Sequence, residues 1–334
     1  MGWELPAHAP TDPQPTAAPP PSRCPEWLPY WLEHFIKPNH KRTTYSKYAM
    51  HVRLYLVPLL GSKSLEALGP RHVRTFIAEV SRRASPATAK EAHRVLRTAL
   101  TAACREELVT RNAASLVEAP KVPRRELTPW TLDETLKFLE EARRDPLYAA
   151  FVLAVSMGLR RGEILGLRWS DVDLEHRVLR ISKQVQRVGG ELYEDTTKSG
   201  RARPVPLPLI CLAALRWHRM RQFGAARLKG VELSPSSYVF TTRTGRPIDP
   251  QNINRSFFRI TAAAGLRRIR LHDARHGCAT LLTAAGVAPR VVMEILGHSQ
   301  ISITMDVYTH VASDTQREAI SHMDRLLRRR VERE

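Results

Sequence analysis

The chain has 334 residues, a formal net charge of +19 and a hydrophobic content of 43%. That length suits about two domains, each rich enough in apolar residues to bury a core, so a disordered chain is excluded. There is no apolar run of about 18 residues to span a membrane, nor a basic segment followed by an apolar one to act as a secretory signal. Met1-Gly2 opens like an acylation site, but Pro6 stands where Ser or Thr is required. Cys24, Cys104, Cys211 and Cys278 show no metal or disulfide spacing and read as reduced, mostly packing thiols of a cytoplasmic protein.

Residues 1–25 hold eight prolines and few large apolar groups, and read as a disordered arm. A helical domain is expected over 26–118. Within it Ala89, Ala92, Val95, Leu96, Ala99, Leu100 and Ala103 recur at three- and four-residue steps, one face of a long helix, with Arg94, Arg97 and Arg105 elsewhere on it. The tract 43–48, preceded by Lys41 and Arg42, reads either as a helix start facing phosphates or as a solvated cap. Residues 119–130 contain Pro120, Pro123 and Pro129 and read as a basic linker.

A second domain is expected over 131–334, opening on the capping box Thr131-x-x-Glu134. Helices are predicted at 131–144 and 146–157, the latter stopped by Gly158. One strand over 178–188, a turn at Gly189-Gly190 and a partner over 191–197 form a hairpin, followed by a short strand over 203–207. The rest is helical, ending in a helix over 314–331 whose apolar stripe runs from Ala319 to Val331. The fold class is thus mainly α: an all-helical first domain and an α+β second one with a small antiparallel sheet.

Charge is shared between the halves. Residues 26–125 carry 18 Lys and Arg against 8 Asp and Glu, and residues 126–334 carry 33 against 23. An excess of ten in each suits a polyanion such as double-stranded DNA held by both, or an arginine-rich proteome.

The chemistry-bearing residues cluster late. His272, Arg275, His298 and Tyr308 supply phosphate-binding cations, donors and a hydroxyl nucleophile, a set suited to attack on a phosphodiester. Upstream, Gly158-Leu-Arg-Arg-Gly-Glu-Ile164 contributes Arg160, whose guanidinium is a rigid fork for two phosphate oxygens, with Arg161 expected to point elsewhere. Glu163 reads either as the partner orienting Arg160 or as an exposed helical carboxylate. Lys198 lies in a turn between strands, close to Arg201 and Arg203. His272 and Arg275, three apart at a helix start, can face one point. His272 and His276 have the spacing of a zinc helix, but Arg275 between them and Asp273 beside them weigh against metal, and His276 reads as a packing residue. Tyr193, in a predicted strand, is a packing residue rather than a nucleophile.

In this order, and over roughly residues 26 to 330, these motifs resemble those of the tyrosine recombinase (phage integrase) family. The resemblance implies a core DNA-binding domain and a catalytic domain clamped on DNA; many phage integrases carry a further arm-binding domain before them, and with only the proline-rich arm ahead of Trp27 that domain is expected to be absent. It implies that Arg160 and Arg275 bind the phosphate and that His272 hydrogen-bonds it or accepts the tyrosine proton. His298 is then a third donor, Lys198 the general acid, and Tyr308 the nucleophile that becomes a 3′-phosphotyrosine. Neither metal, ATP nor another cofactor is needed. Four protomers would join two duplexes, the final helix docking on a neighbour, with an accessory directionality factor a further candidate partner in the nucleoid. The closest likeness is to integrases of phages and integrative elements; a Xer-like resolvase of chromosome or plasmid dimers is the alternative. A type IB topoisomerase or a non-catalytic DNA-binding protein fits less well, the latter because a pure binder needs no nucleophile.

Overall fold

The computed structural model describes residues 21–123, 128–197, 200 and 202–297. Its contacts divide the chain into two compact units, residues 1–125 and 126–334. The first is all-helical: α1 (Cys24–Trp31), α2 (Arg42–His51), α3 (Val57–Leu60), α4 (Pro70–Arg83) and α5 (Pro86–Arg105). Widened π-helical stretches, Leu32–Ile36 and Val52–Leu56, continue α1 and join α2 to α3, which the sequence periodicity does not reveal.

The α5 face read from the sequence is buried throughout, and its alanines let Trp27 approach closely enough for Nε1 to donate to the Ala99 carbonyl at 3.2 Å. Ser85 caps α5, its Oγ accepting from the Thr88 N–H at 3.1 Å, and Pro86 follows where its missing N–H costs nothing. Helix α1 begins inside the segment read as a disordered arm. Cys24 is buried there, and proline in a first helical turn favours the helix rather than opposing it.

The second unit contains α6 (Leu132–Ala142), α7 (Tyr148–Ser156) and α8 (Arg161–Gly166), then β1 (Val172–Asp173), β2 (Val178–Ile181), β3 (Lys183–Val188), β4 (Glu191–Thr196) and β5 (Arg203–Pro206). Helices α9 (Leu209–Arg227), α10 (Pro250–Ala263), α11 (Leu271–Ala284) and α12 (Pro289–Leu296) complete the described part. The capping box forms as read: Thr131 Oγ1 accepts from the Glu134 N–H at 3.2 Å and Glu134 Oε2 from the Thr131 N–H at 2.8 Å. Helix α7 is almost wholly apolar and buried, and α6, α8, α9 and α11 pack around it. The fold is mostly helical with small antiparallel sheets, as the sequence implied.

The sheet differs in detail. The single strand read over 178–188 breaks at Ser182 into β2 and β3, which belong to different sheets. Buried positions alternate through Leu179 and Ile181, fail at the exposed Lys183, and resume with Gln184 and Val185 side by side. Adjacent residues of a strand point to opposite faces, so one flat strand with a single buried face cannot contain both stretches. β2 pairs with β1 and with β5 (Leu179 opposite Val205), whereas β3 pairs with β4 (Gln184 opposite Asp195).

Helix α8 lies directly on β3. A Cβ on Gly166 would stand 2.9 Å from Gln184 Cα, and one on Gly162 would stand 3.0 Å from the Val185 carbonyl oxygen. Gly166→Ala should therefore destabilise this unit by about 2 kcal/mol through overpacking. Gly224→Ala, in an exposed stretch of α9 with nothing near its Cβ position, should stabilise by about 0.5–1 kcal/mol. Urea unfolding of both variants checks the contrast, and equal effects would contradict it.

Candidate active site

Arg160 occupies the N-cap of α8 in an extended conformation. Its main-chain N–H donates to Glu163 Oε2 at 2.9 Å, while Nη1 donates to Glu163 Oε1 at 2.9 Å. Nη2 reaches across the unit to the carbonyl oxygen of Gly297 at 2.8 Å. Of the two readings of Glu163, the pairing with Arg160 is the one that forms; the carboxylate is 1% exposed, not a surface group. Arg161, on the next position, is exposed and feels the charge of Asp249, away from this cluster.

The sequence reading missed a second arginine. Arg203, at the start of β5, forks onto the same carboxylate with Nη1–Oε1 at 3.1 Å and Nη2–Oε2 at 3.0 Å. Its Nη2 also donates to the Leu296 carbonyl at 3.3 Å, and its buried Nε finds no partner among the described residues. The available signal was β5 itself: Arg203 pairs with Ile181 next to the buried face of β2. Burial by itself would raise the Glu163 pKa, but the hydrogen bonds and charge of Arg203, with the charge of Arg160, outweigh it and hold the carboxylate below its usual value.

Arg275 lies on the first turns of α11, 3% exposed, with Nη1 donating to the Gly158 carbonyl at 2.7 Å. Burial first, then the charges of Arg160 and Arg203 against that of Glu163, push its pKa down to about 9, so it remains a cation at neutral pH. His272, one turn earlier, is pushed down to about 4 by burial, then by His276, Arg275 and Arg160, with Asp273 opposing. Its ring is also reached by solvent, which screens those charges, and the imidazole is neutral at pH 7. The rings of His272 and His276 meet edge to face, their centroids 5.4 Å apart. Asp273 faces backward as the cap of α11, accepting from the Arg270 N–H at 2.9 Å and from its guanidinium at 2.7 Å.

Two glycines make these contacts sterically accessible. Gly158 (φ +59°) and Gly297 (φ +65°) adopt left-handed conformations just past α7 and α12. A Cβ on Gly297 would come within 2.6 Å of the Arg203 guanidinium carbon, and one on Gly158 within 2.3 Å of Leu296 Cδ2. Cys278 packs beneath, its thiol raised to about 12 by burial, and Cys211 behaves likewise, consistent with packing thiols. Tyr193 donates to Gln186 Oε1 across the β3–β4 ladder at 3.0 Å, as a packing residue would.

Arg160, His272 and Arg275 therefore gather around one point, joined by Arg203 and Glu163. Lys198, His298, Tyr308 and the helix read over 314–331 lie outside the described residues. Among the described residues no three His, Cys, Asp or Glu side chains are grouped to hold a metal ion, and no helix is long and apolar enough to cross a membrane.

Glu163→Gln leaves two partly buried arginines without their shared carboxylate, at a cost of roughly 3 kcal/mol, the low end for buried pairs because both guanidiniums keep some solvent contact. The folded-state pKa is depressed, so the stabilisation is complete above an unfolded-state value of about 4.3 and is lost as pH falls through the lower folded-state value. Wild type and variant should differ in urea melts at pH 7 and converge in strong acid. A gap unchanged at low pH would refute the linkage.

The profile of the phage integrase family matches residues 126–315, and that of the phage integrase N-terminal SAM-like domain matches residues 25–81. The chain is 31% identical to the "Tyrosine recombinase XerC-like" protein of Caldanaerobacter subterraneus subsp. tengcongensis, over 89% of this chain and 81% of that one. It is 28% identical to an integrase of Saccharopolyspora erythraea, over 89% and 81%, and 30% identical to the integrase of Mycobacterium phage D29, over 77% and 67%. In fold it is similar to the Tn1549 transposon integrase solved with transposon right end DNA (TM-score 0.77, 22% identity, 90% of this chain and 99% of that one). A lambda integrase tetramer bound to a Holliday junction is a more distant neighbour (TM-score 0.63, 20% identity, 84% and 76%). The chain belongs to the phage integrase, or tyrosine recombinase, family of enzymes that cleave and rejoin DNA strands.

Proposed function

We propose that this chain is the site-specific recombinase of a phage or mobile element, integrating or excising its DNA through a 3′-phosphotyrosine intermediate. The observation that carries the reading is the convergence of Arg160, Arg203 and Arg275 around the single carboxylate of Glu163, a cluster with more positive than negative charge. Two of the three arginines hydrogen-bond the carbonyls of residues 296 and 297, and the sequence runs on directly to His298 and, ten residues later, Tyr308. A phosphodiester brings the missing anion.

In this mechanism the Tyr308 phenol oxygen attacks phosphorus as the P–O5′ bond breaks. Arg160, Arg275 and His298 meet the charge growing on the non-bridging oxygens. His272, neutral at pH 7, can accept the phenol proton, and the Lys198 ammonium gives a proton to the leaving 5′ oxygen. The phosphotyrosine conserves the bond energy, so a 5′ hydroxyl from a second duplex can reverse each step without ATP. Residues 26–118 act as the core-binding domain, 119–130 as a linker and 131–334 as the catalytic domain. Double-stranded attachment sites are the substrate, and four protomers assemble on two of them. The likeness to a XerC-like protein favours a second reading, resolution of chromosome or plasmid dimers, which recombination assays on the two kinds of site separate.

Tyr308→Phe should retain DNA binding in gel shifts and form no covalent adduct with a nicked suicide substrate, while peptide mapping of the wild-type adduct returns the Tyr308 peptide. An adduct in the Phe variant would refute the assignment. Arg160→Ala and Arg275→Ala should slow cleavage by about 10²–10³-fold, the scale of a lost oxyanion donor. Cleavage should also continue in excess EDTA, since side-chain cations do the work of a metal here; loss of activity restored by magnesium or zinc would overturn the mechanism.

A further inference from the structure

The side chain of Gln184 has no part in the chemistry above, yet it is 6% exposed on a short two-stranded hairpin. Its place is unusual. Gln184 begins the buried part of β3, in the slot left on α8 by two residues that lack a Cβ. A Cβ at Gly166 would overlap its backbone, and one at Gly162 would press its own Cβ at 3.3 Å. Its amide turns the other way along the ladder, Nε2 donating to the Thr196 carbonyl at 2.8 Å. One side chain therefore bridges the helix that Arg160 caps and the last residue of β4.

The next residue is also pinned. Thr197 is 1% exposed and its N–H donates to the Ser182 carbonyl at 3.3 Å, while its own carbonyl accepts from the Gly200 N–H at 2.9 Å. Lys198 follows Thr197 directly in sequence. We propose that Gln184 is a positioning residue that fixes Thr196 and Thr197, the residues just before Lys198 in sequence, relative to Arg160, so that the proton donor meets the leaving oxygen of the phosphate that Arg160 holds. The inference rests on the reading of Lys198 as the general acid. A general acid must lie within hydrogen-bond reach of the oxygen it protonates, and a displacement of about 1 Å can cost 10²-fold in rate. The close seat of α8 on β3 leaves no room for a side chain at Gly162 or Gly166, and the Gln184–Thr196 hydrogen bond carries that placement on to the end of β4.

The test compares two nicked suicide substrates, one with the natural 5′ oxygen and one with a bridging 5′ sulfur, whose thiolate leaves without a proton. Gln184→Met keeps the side-chain volume and removes the amide donor. It should slow cleavage of the oxygen substrate about tenfold to a hundredfold and leave cleavage of the sulfur substrate and gel-shift affinity near wild type. Lys198→Ala, measured in parallel, should show the same pattern more strongly. If Lys198→Ala is rescued by sulfur and Gln184→Met is slowed equally on both substrates, or on neither, Gln184 does not position the acid. If sulfur fails to rescue Lys198→Ala, the general-acid reading is wrong and the proposal falls with it. Should thermal melting show Gln184→Met to be unfolded, Gln184→Leu also lacks the donor and faces the same two criteria.

Discussion

Everything described at the site depends on one buried carboxylate. Glu163 would be costly to bury as an anion, and four hydrogen bonds, three from two guanidiniums and one from the N–H at its own helix start, make it stable. The dependence runs both ways. Arg160 and Arg203 point where they do because Glu163 sits between them, and α8, only six residues long, is far too short to persist alone. Its stability comes from the capping contact of Glu163 with the Arg160 N–H and from its close seat on β3. Helix placement and guanidinium placement are therefore one problem with one solution.

The arginines also find the negative ends of helices. Arg275 donates to Gly158 just beyond α7, Arg203 to Leu296 at the end of α12, and Arg160 to Gly297 just beyond it. Carbonyls past the last helical turn have no intrahelical donor and carry the partial negative charge of the macrodipole, so cations suit them. Glycine at 158 and 297 ends each helix in the left-handed conformation and leaves room for the side chain that arrives. The same residues thus terminate an element and present an acceptor to the site.

What the sequence revealed follows from range. The α5 face, the Thr131–Glu134 capping box and the stop at Gly158 all act within a few residues, where periodicity and spacing are direct evidence; the Arg160–Glu163 pair is as local, yet its spacing fits an exposed carboxylate equally well. Arg203 reaches Glu163 across 40 positions and only because β5 pairs with β2, so no local pattern announces it. The break at Ser182 was hidden for a related reason. A run of β-forming residues from 178 to 188 looks continuous until the burial of Gln184 and Val185 shows which side α8 occupies. Gln184 itself reads as an ordinary polar strand residue; its role depends on two missing Cβ atoms some twenty residues earlier. The π-helical stretches were missed because a pattern of apolar residues does not register one residue added to a turn.

The depressed pKa values of Arg275 and His272 carry the final step. Both are lowered by burial and then by neighbouring cations, so in the free protein this corner is held in electrostatic tension by the packing around it. A group whose charged form is disfavoured by other cations regains affinity for its proton when an anion arrives. On the proposed function, a bound phosphodiester would therefore tighten the hold of Arg275 on its charge and shift His272 toward protonation, making that imidazole a better home for the phenol proton as attack proceeds. The cations need not move to meet the transition state. On that reading the fold has already spent stability to bring them together, and the charge growing on the non-bridging oxygens is what relieves them.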